Sequence, residues 1–135
     1  MKPVARSLYL PTAAKSTAIK KMQVSILKSK IHRASVTDAN VDYEGSITID
    51  KKLMDQAGIY PYERVLCGNM TNGERFETYV ISGERESGAV ILNGATAHLG
   101  KKNDLLTIMS FAMLNESQSK NWEPKVIVLN THNTV

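Results

Sequence analysis

Residues 63–82 read ERVLCGNM, TNGE, RFETYVIS: two apolar-rich runs, Glu63–Met70 and Arg75–Ser82, flank Thr71-Asn72-Gly73-Glu74. Asn-Gly between apolar runs is the strongest short-range hairpin signal, because the tight turn needs positive φ at both central residues. The same texture continues outward. Gln23–Ile26, Ala34–Val41 and Ser46–Ile49 read as strands on one side, and Ala89–Leu92, Leu105–Leu114 and Lys125–Leu129 on the other. Asp50 stands where a helix N-cap belongs, KKLMDQA gives two helical turns, and Gly58 ends them. Gly83–Gly88 supplies a second turn. Six or seven short strands with one small helix point to a β-barrel rather than a sandwich or a βαβ fold.

Composition narrows the class. The chain has 135 residues, 42% of them apolar, enough to bury a core as one domain. No stretch approaches the roughly 18 apolar residues of a membrane span, so no membrane partner is expected. One cysteine, Cys67, allows no internal disulfide and fits a reducing, cytoplasmic setting. Residues 1–33 carry eight cationic side chains, and no acid precedes Asp38. From Met22 onward 12 cationic residues face 13 acidic ones, a balance of −1. The basic charge therefore belongs to residues 1–21, read as a flexible extension ahead of a second possible start at Met22, with 22–135 as a single domain. A nucleic-acid partner would need a basic face on the folded body, which this balance denies it.

Most titratable residues read plainly. His32 and His98 have no ligand-spaced partner, so no metal site is expected. Cys67 lies inside an apolar run, as a small buried hydrophobe does. Asp38 and Asp42 share a strand face with nothing to mark an acid–base pair. Tyr43-Glu-Gly-Ser46, taken alone, is a turn between strands.

The wider context changes that last reading. Lys28-Ser-Lys-Ile-His-Arg33, Val36-Thr-Asp-Ala-Asn40, Tyr43-Glu-Gly-Ser-Ile-Thr-Ile-Asp50, Asn72-Gly-Glu-Arg-Phe-Glu-Thr-Tyr79 and Asn93-Gly-Ala-Thr-Ala-His98 follow in order. Over residues 22–135 this series resembles the pyruvoyl-dependent aspartate 1-decarboxylases. The resemblance implies a mainly β, double-psi β-barrel with one or two short helices. It also implies a homotetramer, with a maturation factor as a candidate partner, and a proenzyme that cuts itself between Gly45 and Ser46. Ser46 would become a covalently bound pyruvoyl group that condenses with L-aspartate, and loss of the α-carboxylate would give β-alanine for pantothenate and coenzyme A. By matching positions Tyr79 is the proton donor, and Thr78 serves cleavage and substrate binding. Arg75 and Lys30 bind the carboxylates, and Gly94-Ala95-Thr96 is a substrate-binding turn. Asn93, His32 and Tyr43 line the same site. Thr96 stands where many relatives have alanine.

The residue types suit that chemistry. Decarboxylating an amino acid leaves a carbanion, which needs an electron sink. No nucleotide or pyridoxal-phosphate pattern occurs, so the sink would come from the chain. Ser46 Oγ attacks the Gly45 carbonyl carbon, the C–N bond breaks, and an ester replaces the amide. β-Elimination then releases the Gly45 carboxylate, and hydrolysis of the resulting dehydroalanine expels ammonia and leaves the ketone. Glycine before the serine presents no side chain to obstruct attack and tolerates strain. Arg75 can grip a carboxylate through two parallel N–H···O bonds, and Lys30 adds a point charge. Tyr79, at i+4 from Arg75, shares its strand face, whereas Thr78 points to the other. The competing readings are a non-enzymatic β-barrel binding module and a regulatory homologue that never cleaves. Either would run as one piece on a denaturing gel.

Overall fold

The computed structural model describes residues 22–135, and the extension expected over 1–21 lies outside them. In chain order the described elements are β1 (Gln23–Ser35), β2 (Asp38–Asn40), β3 (Ser46–Asp50) and α1 (Lys51–Ala57). Then come β4 (Arg64–Asn69), β5 (Arg75–Gly83), β6 (Val90–Asn93), a 3-10 turn over Gly94–His98, β7 (Leu105–Asn115), α2 (Glu116–Ser119) and β8 (Lys125–Val128). The described strands form one mixed sheet in the order β2-β6-β3-β5-β4-β7-β1-β8. The protein is mainly β with two short helices, as anticipated. Of the described residues, 22–26 and Ala112–Glu123 make one compact unit, and Leu27–Phe111 with Pro124–Val135 the other. Every candidate site residue belongs to the second.

The hairpin is present: β4 and β5 pair antiparallel from Arg64 opposite Tyr79 to Gly68 opposite Arg75. Its turn differs from the expectation. Gly73 has φ +81°, but Asn72 is not left-handed. The loop is instead organised by buried Asn69, whose Oδ1 accepts the N–H of Thr71 at 2.9 Å, while its carbonyl accepts Gly73 N–H at 2.8 Å. An Asx-type cap on a longer loop replaces the two-residue turn.

β1 is longer than expected, running through Lys28–Arg33 without a break. The apolar period is hidden there because buried Ser29 occupies a core position beside Ile31, while Lys28, Lys30 and His32 take the other face. The strand ends where the backbone changes neighbours. Val36 N–H bonds Asp104 O at 2.9 Å, and Thr37 N–H bonds Val90 O at 2.8 Å.

Alternation builds the core. Ile47 and Ile49 of β3, Val65 and Cys67 of β4, Phe76 and Val80 of β5, and Leu106 and Ile108 of β7 are buried together with Ile31. Burial pushes the Cys67 thiol up to about 12, so it stays protonated and inert at neutral pH.

α1 begins and ends where its signals stand. Asp50 Oδ1 accepts Lys52 N–H at 2.8 Å, and Gly58 closes the helix at φ +72°. The same carboxylate, only 3% exposed, also accepts Glu86 N–H on Oδ1 and Gly88 N–H on Oδ2, each at 2.9 Å. It thus ties the 83–88 turn to the helix start, a duty the cap signal does not reveal. Asp50→Ala removes a cap and strands two further donors, so it should cost about 2–5 kcal/mol. Thermal unfolding of the uncleaved chain should shift down by on the order of 10 °C. An unchanged midpoint would show that these bonds add nothing net.

Candidate active site

Ser46 opens β3, and its hydroxyl is enclosed although the loop before it is not. The residue is 1% exposed, whereas Tyr43, Glu44 and Gly45 all lie at the surface. Ser46 Oγ donates to Glu44 O at 3.3 Å and accepts from Asn93 Nδ2 at 3.0 Å. A hydroxyl has one proton and two lone pairs, so one lone pair is left for attack. Among the described residues no titratable side chain hydrogen-bonds this oxygen. Asn93 faces Ser46 because β3 and β6 pair antiparallel with these two residues in register. Its Nδ2 also donates to Thr48 Oγ1 at 2.9 Å. The Thr96 hydroxyl donates to Asn93 O at 2.8 Å and lies 3.4 Å from Ser46 O. Thr48 escaped the sequence reading, although its i+2 spacing from Ser46 already places both on one strand face.

A second group assembles by register alone. Arg75 of β5 is opposite Gly68 of β4, and Gly68 is opposite Thr107 of β7. Thr107 Oγ1 lies 3.5 Å from His32 Nδ1 on β1. Paired residues share a face, so Arg75, Thr107 and His32 line one face across four neighbouring strands. Lys30, two residues from His32, and Tyr79, four from Arg75, project to that same face. Gly68 contributes no side chain, and a cavity of about 330 Å³ opens there, lined by Gly68, Glu74, Arg75, Thr107 and Met109. A glycine inside a strand run is the signal that could have marked this trough. Among the described residues neither Lys30 nor Arg75 forms an ion pair. By contrast Lys28, on the same strand face, is held 2.8 Å from Glu63 and lies over the Tyr60 ring. The cavity brings Arg75 together with Glu74, and Lys30 stands on the same strand face outside its lining.

Strand β5 alternates without interruption, since five successive residues pair with β4. Thr78 therefore faces away from Arg75 and Tyr79, half-buried, its hydroxyl without a hydrogen bond among the described residues. β3 runs parallel to β5 with Ile47 opposite Val80. One step earlier Ser46 and Tyr79 take the opposite face from Ile47 and Val80, so the serine, the phenol and Arg75 share a side. Tyr79 is 38% exposed and Tyr43 55%. Ala95 is exposed, and Gly94, Asn93 and Thr96 are buried. A larger cavity of about 420 Å³, between α1 and the C-terminal turn, is lined by none of these residues.

Gly45 does not need to be glycine to adopt this conformation. Its φ is not left-handed, and a methyl group there would meet nothing within 4 Å. The constrained glycine is Gly94, at φ +67°, where a methyl group would lie 2.7 Å from Gly45 Cα, Gly45 N and Tyr43 O.

Comparison with known proteins matches these residues to a family. The model of the family described as aspartate decarboxylase covers residues 22–135. The chain is 52% identical over 112 residues to the aspartate 1-decarboxylase of Thermoanaerobacter pseudethanolicus, covering 83% of this chain and 96% of the relative. It is 52% identical over 111 residues to that of Neisseria meningitidis, covering 82% and 87%. The aspartate 1-decarboxylase of Campylobacter jejuni is 52% identical over 113 residues, covering 84% and 89%. The donor set around Ser46, neutral amide and hydroxyl groups with no competing charge, fits the serine-derived pyruvoyl group that such enzymes carry on a double-psi β-barrel. With the match spanning every described strand, the chain belongs to the aspartate decarboxylase family.

Proposed function

We propose that the chain is a proenzyme that cleaves itself between Gly45 and Ser46, and that position 46 then carries the pyruvoyl group. The activity, conversion of L-aspartate to β-alanine and carbon dioxide for pantothenate biosynthesis, comes with the family. The observation that carries the assignment to this bond is the enclosed Ser46 hydroxyl, bonded only to neutral partners, with a lone pair to spare. The pyruvoyl group supplies the electron sink for the pair left when carbon dioxide departs. The remaining work falls to side chains. Arg75 clamps a substrate carboxylate through its fork, and Lys30 places a second positive charge on the same face. His32, hydrogen-bonded to Thr107, stands on the same face two residues from Lys30. The Tyr79 hydroxyl delivers a proton to the carbon that has lost its carboxylate. Asn93 and Thr96 hold the Ser46 end of β3 in place, and Gly94 and Ala95 turn the chain beside the substrate.

Assembly into a homotetramer is part of the proposal. Phe111, Val126 and Val128 are 45%, 48% and 54% exposed, an apolar surface that a second copy would cover. A reducing cytoplasmic setting goes with the buried, unpaired Cys67. The test follows carbon dioxide released from C1 of L-aspartate while the purified precursor matures. Release should rise in proportion to the cleaved fraction. Turnover by uncleaved chain would remove the proposal.

Thr78 is assigned to the cleavage step. Thr78 is half-buried on β5, the strand that pairs with β3 just beyond the Gly45-Ser46 bond, and its hydroxyl would polarise the scissile carbonyl. Thr78→Val keeps the shape and the β-branch but loses the donor. It should slow cleavage ~10²–10³-fold while leaving the melting of the precursor nearly unchanged. Maturation at the wild-type rate, read on a denaturing gel, would take Thr78 out of processing.

A further inference from the structure

Residues 43–45 carry the scissile bond, yet little holds them. Among the described residues, the backbone of 41–45 is held outside the strands by a 3.5 Å bond from Tyr43 N–H to Asn40 O, a 3.0 Å bond from Asp42 N–H to Asn40 Oδ1, and the Ser46 hydroxyl donating to Glu44 O at 3.3 Å. Their outward side is exposed. Their inner side rests on Gly94, whose missing side chain leaves the space that Gly45 Cα, Gly45 N and Tyr43 O occupy. Real carbon side chains do not approach such atoms to 2.7 Å, so any other residue at 94 must lift the loop. The neighbouring residue, Asn93, is the one that bonds Ser46 Oγ. Two consecutive residues thus act on the two halves of the scissile unit, Gly94 on the carbonyl-bearing loop and Asn93 on the nucleophile.

We propose that Gly94 is a positioning residue for self-cleavage: by direct backbone packing it sets the path of residues 43–45, and so the placement of the Gly45 carbonyl relative to the Ser46 hydroxyl. This rests on the reading that the chain cuts itself at Gly45-Ser46, and it goes beyond that reading by placing the glycine requirement at 94, 49 positions along the chain from Gly45. No chemistry is assigned to Gly94 itself. A displaced loop leaves the carbonyl out of reach of an otherwise intact nucleophile.

Two penalties coincide at Gly94, left-handed backbone and steric contact, and a control separates them. Gly58 has φ +72°, but a methyl group there meets only side-chain atoms at 3.6 and 3.9 Å, ordinary contact distances. Gly58→Ala therefore carries the backbone penalty without the clash.

The experiment compares purified wild type, Gly94→Ala and Gly58→Ala for fraction cleaved against time, by denaturing gel and intact mass. Folding is judged separately by circular dichroism and melting of Gly94→Ala placed in a Ser46→Ala chain, where no cleavage can intervene. The expected result is a folded Gly94→Ala precursor that cleaves at least tenfold more slowly than wild type, with Gly58→Ala at the wild-type rate. Wild-type cleavage by Gly94→Ala would overturn the proposal. So would an equal slowing in Gly58→Ala, which would make backbone strain alone sufficient. An unfolded Gly94→Ala/Ser46→Ala chain would also overturn it, by giving Gly94 a role in the whole fold in place of the loop. A wild-type chain that stays whole would fail differently, since it would remove self-cleavage before any question about Gly94 arises.

Discussion

Ser46→Ala should remain one uncut chain on a denaturing gel indefinitely and release no carbon dioxide from L-aspartate above background. In the proposed acyl shift the Ser46 hydroxyl is the nucleophile, and among the described residues its partners are an amide and a carbonyl with no second nucleophile between them. The variant should nevertheless fold. Ser46 sits at the start of β3, and the residues beyond it, Ile47 and Ile49, supply the burial. Its hydroxyl bonds contribute about 0.5–1.5 kcal/mol each. Activity should therefore fall by the whole catalysed acceleration, on the order of 10⁶-fold or more. The measurements are the gel, the melting curve and carbon dioxide release from one preparation. Cleavage in this variant would place the reactive serine elsewhere, and a collapsed melting curve would make Ser46 structural.

Tyr79→Phe should separate maturation from turnover. The phenol shares a strand face with Ser46 and Arg75, is 38% exposed and makes no hydrogen bond among the described residues. It is therefore free to meet substrate. Its proposed task begins after the carboxylate has left, when a proton must reach the carbon. Losing a positioned general acid typically costs ~10²–10⁴-fold in rate. The loss should appear in kcat, with KM little changed, because the hydroxyl is not needed to hold the ground state. Phenylalanine keeps the ring, so the strand should pack as before and cleavage should proceed. Full kcat in completely processed Tyr79→Phe would leave proton delivery to water or another group.

The parts of the fold that were legible in the sequence are local ones. Asp50 and Gly58 bracket α1 because a side-chain acceptor and a left-handed glycine answer unpaired groups within one turn. The 63–82 hairpin was visible for the same reason, although Asn69 organises its loop where Asn72-Gly73 was expected to do so alone. β1 runs on past its expected end because a buried serine, Ser29, takes a core position and interrupts the apolar period. The candidate site was legible through the motif series, and its assembly was not. Arg75, Gly68, Thr107 and His32 meet only through the pairing of four strands, so no single segment carries the pattern. Gly94 was singled out as part of a turn against substrate. Its contact with residues 43–45 spans about 50 positions of the chain and leaves no local trace. Locally Gly45 looks like the glycine the chain requires, but in the folded chain the steric requirement lies at Gly94.

The most direct measurement is the intact mass of the purified, fully matured protein under denaturing conditions. The account predicts two pieces, one ending at Gly45 and one spanning residues 46–135. The second should be one ammonia lighter than a chain that begins with serine, because its first residue has exchanged an amine for a ketone. A single intact chain after prolonged incubation, with or without cell extract, would contradict the account, as would a 46–135 piece that keeps its amine.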